Sequence, residues 1–381
     1  MFDFYLPTHI QFGCGSRNRL REILIQEQWT RVGIVLDQNI VPSPPCSQLL
    51  EELTQVSKKL IRAICTISEP TYDSLEEMRV QFEGIDLDCM IGLGGGSALD
   101  MAKAMAVLFN NRKPAIYYRG FDRMIEPVLP IIALPTTAGT GSEVTPNASF
   151  IDTQEKKKLG INGEAVRPRY ALLDPELTLT CPFEPTRSAA VDSMVHAIEA
   201  FAAKKTNPLA RIFAREGFRK VFHNLEALLK DLKNIDLRRE VMYGAFLSGI
   251  SLMHSGTGPA AALSYPLGVH YHVPHGIAGG VFLPKVMAYN ISQGYYDYSA
   301  LFEDNRIENP EAQAKAFLNT ILSLWEEIGI SPNLCRFGLE PGGITSFVEE
   351  TLQLKGALDQ NPVPFGRPEI EAVLRQMTEV S

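Results

Sequence analysis

The chain has 381 residues, of which 45% are hydrophobic and 21% charged, and its formal net charge is −8. This length exceeds one typical core and predicts two domains. The acidic balance, spread without long runs, argues against nucleic acid or an anionic membrane as a main partner. No apolar run approaches the roughly 20 residues that a membrane span requires, and the N-terminus lacks the pattern of a signal peptide.

The six cysteines are scattered along the chain without a C-x-x-C pair. This arrangement is typical of reduced thiols in a cytoplasmic protein rather than of a disulfide framework or a zinc ribbon. We therefore expect a soluble cytoplasmic enzyme.

In the first half of the chain, short apolar runs alternate with segments of helical character. The predicted strands are 32–36, 60–67, 89–93 and 129–134, and the predicted helices are 16–28, 48–58, 74–83 and 98–109. Strands that alternate with helices at this spacing predict a parallel α/β sheet of the Rossmann-like kind.

From Pro185 onward, strand-like runs nearly vanish. The predicted helices there are 186–203, 207–230, 237–254, 276–290, 310–329 and 343–355. Two prolines in the segment TLTCPFEP mark the change. We predict a nucleotide-binding α/β domain at 1–180 and an all-α domain, carrying a metal or substrate site, at 181–381.

A glycine triplet lies between a predicted strand and a predicted helix. Gly94, Gly95 and Gly96 would let the backbone approach a pyrophosphate, and the helix N-terminus would present amide N–H groups to it. Ser97 adds a hydroxyl donor or a helix cap, and Asp100 falls in the first turns. A tight turn without a ligand explains the triplet alone equally well.

A second loop rich in hydroxyl groups follows the fourth predicted strand. It contains Thr136, Thr137, Thr140 and Ser142, interleaved with glycines. Ligands of open α/β sheets bind beyond the carboxyl ends of the strands. Two such loops on one sheet therefore favour a nucleotide site.

Asp37, at the end of the first predicted strand, suits a ribose diol and would repel a 2′-phosphate, which favours NAD over NADP. In the usual dinucleotide fingerprint the acid follows the glycine loop by about 20 residues. Here it precedes Gly94 by 57 residues (94 − 37). A role in opening the following turn is the alternative for Asp37.

Asp192 and His196 are spaced i and i+4, so they share one face of a predicted helix. A carboxylate and an imidazole at this spacing make half of a site for divalent iron or zinc. The spacing alone is weak evidence, but the neighbouring residues are apolar, which indicates a face turned inward. His275, at the start of a later predicted helix, is the best remote partner, unless it only anchors that helix terminus.

Several motifs, in order, resemble those of the iron-containing (group III) alcohol dehydrogenases: GGGSALDMAKA, LPTTAGTGSEVT, DPELT, DSMVHAIEAF and YPLGVHYHVPHGIAGG. The resemblance covers nearly the whole chain. It implies a dinucleotide-binding domain, a helical domain and a cofactor cleft between them. It also matches Asp37, Lys158 and two loops to NAD-binding positions: Gly94–Ser97 (the glycine loop) and the segment with Thr136, Thr137, Thr140 and Ser142 (the threonine loop). It matches Asp192, His196 and His275 to three of four metal ligands.

The fourth metal ligand does not match the family pattern. Ala261 stands where the ligand histidine is expected, and Tyr265 replaces a second histidine that lies near the substrate. A site with three protein ligands, a replacement ligand (His254, His270 or His272), and loss of the metal all remain open. We predict that Tyr265, His270 or His272 relays the proton of the alcohol.

The resemblance implies an NAD-dependent dehydrogenase or reductase that transfers hydride between nicotinamide and a small alcohol or aldehyde, with a divalent metal assisting, in a homodimer. A metal-independent reductase of the maleylacetate reductase type is the main alternative. A lyase similar to 3-dehydroquinate synthase is less favoured, since the helical half offers few basic residues for its substrate. A non-catalytic NAD-binding protein is also open.

Overall fold

The computed structural model describes residues 1–302 and 309–379. These residues form two compact units. The α/β unit comprises residues 5–182 and 231–242, and the helical unit comprises residues 1–4, 183–230 and 243 onward. The short segment 231–242 therefore groups with the α/β unit, although it lies in the second half of the chain.

A six-stranded, fully parallel sheet forms the centre of the α/β unit. Its strands, in spatial order, are β1 (His9–Phe12), β9 (Tyr170–Leu173), β6 (Ile131–Pro135), β4 (Cys89–Gly94), β2 (Arg31–Asp37) and β3 (Lys59–Cys65). The predicted parallel α/β fold is confirmed. The sequence did not indicate β1 or β9 as strands, because each is only four residues long.

Both faces of this sheet are buried. Along β4, Cys89, Ile91 and Leu93 belong to one hydrophobic cluster, whereas Met90 belongs to another. Successive side chains of a strand point to opposite faces, so a strand covered on both sides reads as an unbroken apolar run. This is why the central strands could be predicted from composition alone.

Four helices accompany the sheet: α1 (Arg19–Gln26), α2 (Pro44–Val56), α3 (Tyr72–Arg79) and α4 (Gly96–Asn110). The starts of α2 and α3 follow from local chemistry. The Ser43 hydroxyl accepts from the Cys46 amide, and Thr71 and Ser74 form a reciprocal capping box. Such caps satisfy amide groups that have no partner within the helix.

A second sheet of three strands comprises β5 (Gly120–Phe121), β7 (Asn147–Asp152) and β8 (Lys157–Asn162). Strands β7 and β8 form an antiparallel hairpin. The sequence did not indicate these strands. The hairpin contains polar and basic residues that obscure the apolar alternation expected of a strand.

The helical unit and the segment leading into it contain nine helices among the described residues. They are α5 (Phe183–Ala202), α6 (Pro208–Lys230), α7 (Ile235–Ser255), α8 (Pro259–Tyr271), α9 (His275–Ser292), α10 (Pro310–Glu327), α11 (Ile344–Thr351), α12 (Lys355–Leu358) and α13 (Arg367–Thr378). No helix in the described part of the chain is long and apolar enough to cross a membrane.

Helix α8 was not predicted, although it lies in one of the most distinctive motifs. Pro266 lies inside it and its buried side chains face several directions, so no amphipathic period marks it. Helix α13 was also missed. The predicted helix 343–355 corresponds to α11, which ends at Thr351, and the short α12 begins at Lys355.

Candidate active site

Asp37 lies beside the glycine loop, although it precedes Gly94 by 57 positions in the chain (94 − 37). Strands β2 and β4 are parallel neighbours, with Leu36 opposite Leu93. A Cβ atom built on Gly94 would lie 2.6 Å from the Cβ atom of Asp37. The unusual linear order is therefore explained by the sheet order, which brings the two strand ends together.

The glycine loop also packs directly against the threonine loop. The Thr136 amide donates to the Gly94 carbonyl at 2.9 Å. A Cβ atom on Gly96 would lie 2.7 Å from Cγ2 of Thr140, and one on Gly95 would lie 3.3 Å from Cγ2 of Thr137. Glycine is needed at Gly96 because a side chain would displace the facing loop.

Asp100 and Ser142 belong to a buried hydrogen-bond network. Asp100 accepts from the Ser142 hydroxyl at 2.6 Å and from the Ser149 amide at 2.8 Å. The fully buried Lys103 donates to Ser142 Oγ and to the carbonyls of Thr145 and Asn147. Burial lowers the pKa of Lys103 to about 8 and raises the pKa of Asp100. These side chains hold the loop in place.

Three other predicted nucleotide residues also bond to protein groups. The Ser97 hydroxyl donates to the Ser68 carbonyl at 2.5 Å and does not cap α4, which begins at Gly96. Lys158 Nζ lies 2.6 Å from a carboxylate oxygen of Glu69. Asp37 Oδ1 accepts from the Asn39 amide at 2.8 Å. That bond fits the turn-opening alternative, while Oδ2 lies on the side of the glycine loop.

In the helical unit the structure brings Asp192, His196 and His275 together. One ligand atom from each lies within 4.8 Å of the others, and we call these three residues the donor trio. Asp192 Oδ1 is 3.5 Å from His196 Nε2 and 3.9 Å from His275 Nε2. The side chains of Asp192 and His196 are only 6% and 7% exposed.

Gly276 allows this approach of helix α9 to helix α5. A Cβ atom there would lie 2.0 Å from the Ser188 carbonyl oxygen and 2.8 Å from the Cβ atom of Asp192. No side chain fits, so glycine at this position lets His275 reach Asp192. The sequence showed the P-H-G motif but not this steric reason for it.

Two residues of α8 surround His275. Its Nδ1 atom lies 3.1 Å from the Ser264 hydroxyl oxygen. The Tyr265 ring meets the His275 ring edge to face, with centroids 5.3 Å apart and planes at 88°. Tyr265 is thus adjacent to the donor trio, as its predicted role requires.

The other predicted histidines have different surroundings. His270 Nε2 lies 2.6 Å from a Glu350 carboxylate oxygen, and His272 is an exposed residue that closes α8 with a positive φ of 56°. The His254 ring stacks on Phe4 at 4.0 Å. Within the described residues, none of the three belongs to the group of donor atoms around Asp192.

Ala261 lies at the start of α8, where Glu199 caps the helix. The Glu199 carboxylate accepts from the amides of Gly258 at 2.7 Å and Ala260 at 2.6 Å. Burial raises the pKa of Glu199 to about 7. Glu199 thus binds the N-terminus of α8, and among the described residues it is not part of the donor trio.

Sequence reasoning missed Ser264 and the hydrogen bonds of Lys103. The only signal for Ser264 is its place between Ala261 and Tyr265 in the altered motif. Lys103 lies one turn beyond Asp100, and its spacing alone could not show that the side chain is fully buried.

The chain combines a parallel α/β sheet with a helical unit in which a carboxylate and two histidines meet. This combination is that of the group III dehydrogenases. A model of the iron-containing alcohol dehydrogenases matches residues 7–175, and a model of the C-terminal part of that family matches residues 186–378. The chain belongs to the iron-containing alcohol dehydrogenase family.

Several relatives are similar over most of the chain. The NAD-dependent methanol dehydrogenase of Bacillus methanolicus is 33% identical over 291 residues, or 76% of each chain. The sulfoacetaldehyde reductase of Bilophila wadsworthia is 29% identical over 80% of this chain and 81% of its own. The solved structure of a 1,3-propanediol oxidoreductase has a TM-score of 0.91 at 26% identity, covering 99% of this chain and 100% of its own. The chain is thus an oxidoreductase rather than a lyase.

Proposed function

We propose that this enzyme transfers hydride between NAD and a small alcohol or aldehyde, and that a divalent metal held by the donor trio assists. The observation that carries the proposal is the grouping of one carboxylate and two imidazoles within 4.8 Å in a helical unit. The printed activities of the relatives, which include methanol dehydrogenation and sulfoacetaldehyde reduction, support this class of substrate.

Backbone groups would bind the nucleotide more than side chains would. The N-terminus of α4 directs its first amides and its positive dipole toward the space beyond the strand end, which suits a diphosphate. The threonine loop faces it, and Asp37 beside Gly94 suits the ribose diol of NAD. Asp100 and Ser142 would contribute chiefly by holding the threonine loop, whereas Ser97 and Lys158 bond to Ser68 and Glu69.

The donor trio fits a metal. Its carboxylate and one of its imidazoles are almost fully buried, and the structure gives the buried Nδ1 atom of His196 no hydrogen-bond partner among the described residues. Burial of a carboxylate is costly and favours a cation beside it, and a mixed oxygen and nitrogen donor set suits Fe²⁺ or Zn²⁺. When bound, such an ion supplies Lewis-acid polarisation of the substrate oxygen.

We assign to Tyr265 the transfer of the proton of the substrate hydroxyl. Its ring packs against the ring of His275, so Tyr265 lies beside the donor trio. His270 bonds to Glu350 and His272 closes α8, so both are weaker candidates.

Ala261 favours a second candidate function, a metal-independent reductase. The alanine side chain cannot coordinate, and its position at the start of α8 is fixed by the Glu199 cap. In this alternative Tyr265 would polarise the carbonyl by hydrogen bonding instead of donating a proton beside a metal.

Metal removal separates the two functions. Protein prepared without air would be stripped with a chelator, and NADH oxidation would be followed on a panel of small aldehydes before and after addition of Fe²⁺ or Zn²⁺. We expect activity to fall on stripping and to return with about one equivalent of metal. Full activity of stripped protein that disappears in Tyr265→Phe would favour the metal-independent reductase.

We propose that the enzyme is a cytoplasmic homodimer. Strand β1 lies at the edge of the parallel sheet, which is compatible with a second copy pairing there in a homodimer. A cytoplasmic location follows only from the cysteine pattern.

A further inference from the structure

The Ser264 hydroxyl lies between the Ala261 carbonyl and the imidazole of His275, a member of the donor trio. Ser264 is fully buried in α8, and its Oγ atom lies 2.6 Å from the Ala261 carbonyl oxygen and 3.1 Å from Nδ1 of His275. The two contacts share one hydroxyl group, so the direction of each hydrogen bond can be assigned.

A carbonyl oxygen can only accept, and a hydroxyl has a single proton. Ser264 therefore uses its one hydroxyl hydrogen to donate to the Ala261 carbonyl. Toward His275, the Ser264 oxygen can then only accept, so Nδ1 of the imidazole must carry a hydrogen. In a neutral imidazole this places the lone pair on Nε2, the atom that lies 3.9 Å from Asp192 Oδ1.

We propose that Ser264 is a positioning residue that fixes the tautomer and ring orientation of His275 for metal binding. The proposal rests on the metal-binding function proposed above for the donor trio. A ligand histidine commonly donates its other ring N–H to an acceptor, which orients the ring and strengthens the ligand. The ring of Tyr265, the next residue of α8, packs against the same imidazole at an angle of 88°.

The proposal also gives Ala261 a part in the site. Its side chain cannot coordinate a metal. Its carbonyl oxygen accepts the hydrogen bond of the Ser264 hydroxyl and so determines the direction in which that hydroxyl donates. Helix α8 thus supports His275 through its backbone, at the position where the family pattern has a ligand.

The tautomer can be measured without metal. In metal-free protein labelled with ¹⁵N-histidine, ring nitrogen resonances distinguish Nδ1–H from Nε2–H, and comparison with His275→Gln assigns the His275 signal. We expect the Nδ1–H tautomer in the wild type. Ser264→Ala should lose it, whereas Ser264→Thr, which keeps a hydroxyl, should retain it.

The same variants are then titrated with Zn²⁺ against a competing chelator. Loss of such an outer hydrogen bond typically costs about 10–100-fold in metal affinity, and we expect that loss in Ser264→Ala. Ser248→Ala is a matched control, because Ser248 is also fully buried and its hydroxyl also donates to a carbonyl of its own helix, that of Gly244. The control should keep the wild-type affinity.

An Nε2–H tautomer in the wild type would overturn the proposal. So would a Ser264→Ala variant that keeps both the Nδ1–H tautomer and the Zn²⁺ affinity of the Ser248→Ala control. If the wild type bound no Zn²⁺ or Fe²⁺, the metal-assisted function would fail, and the tautomers of the wild type and Ser264→Ala would still decide whether Ser264 orients His275.

Discussion

The glycine and threonine loops of the α/β unit and the donor trio of the helical unit differ in the partners of their polar side chains. In the α/β unit, Asp100 and Lys103 of α4 and Ser142 of the threonine loop bind one another and nearby backbone, so these side chains hold the loop in place. In the donor trio, the ligand atoms of Asp192, His196 and His275 face one another. Side-chain removal should therefore cost stability in the loops and function in the donor trio.

The largest effect is expected for Asp192→Ala. Loss of the carboxylate should release the metal and lower kcat/KM about 1000-fold, since Lewis-acid assistance is worth several kcal/mol. The unfolding temperature of metal-free protein should stay within a few degrees of the wild type, because the side chain is a buried charge facing two imidazoles. Steady-state kinetics, metal analysis and thermal melts measure this.

Asp236→Ala is the control for that change. Asp236 is an exposed carboxylate of α7, and its removal should leave metal content and turnover unchanged. Unchanged turnover and metal content in Asp192→Ala would remove the donor trio from the mechanism.

In the α/β unit, Asp100→Ala, a substitution within α4, should lower the free energy of unfolding by about 3 kcal/mol. The substitution leaves the Ser149 amide without its acceptor and the buried Lys103 without its nearest carboxylate. Urea titration of the wild type and the variant measures the difference.

Asp73→Ala is the matched control for Asp100→Ala. Asp73 is an exposed carboxylate of the same unit, and it accepts a hydrogen bond from the Thr153 hydroxyl. It should cost less than about 1 kcal/mol. A stable Asp100→Ala protein with greatly weakened NAD binding would instead make Asp100 a ligand of the nucleotide, and the contrast between the regions would fail.

Glu199 predicts a smaller, pH-dependent effect in the helical unit. Burial raises its pKa to about 7 from the ordinary value of 4.5. The folded state therefore holds this proton more tightly than the unfolded state, and stability falls as pH rises through this interval. Between pH 5 and 7 the free energy of unfolding should drop by about 2 kcal/mol on account of this group.

Glu199→Gln should remove that part of the pH dependence, because the amide does not titrate. Urea titrations of metal-free wild type and variant at several pH values give the difference, in which other titrating groups cancel. Equal slopes for the two proteins between pH 5 and 7 would show that Glu199 is ionised throughout.

Much of the fold could be predicted because its strands and helices carry local signals. The strands β2, β4 and β6 are unbroken apolar runs, and helices such as α5 and α6 extend for 20 or more residues. The hairpin β7–β8 and helix α8 lack a clear period, and tertiary packing decides their structure. Helix α8 even contains Pro266, which local propensity would place at a helix boundary.

The family and the candidate ligands Asp192, His196 and His275 could be predicted without coordinates, because side-chain type and helical spacing are local properties. Tertiary structure decided which of them meet. It placed Asp37 beside Gly94 through the strand order, excluded His270 from the donor trio by pairing it with Glu350, and brought Ser264 to His275. Such contacts join residues that are distant in the chain or lie on different helices, so no local pattern of residues could specify them.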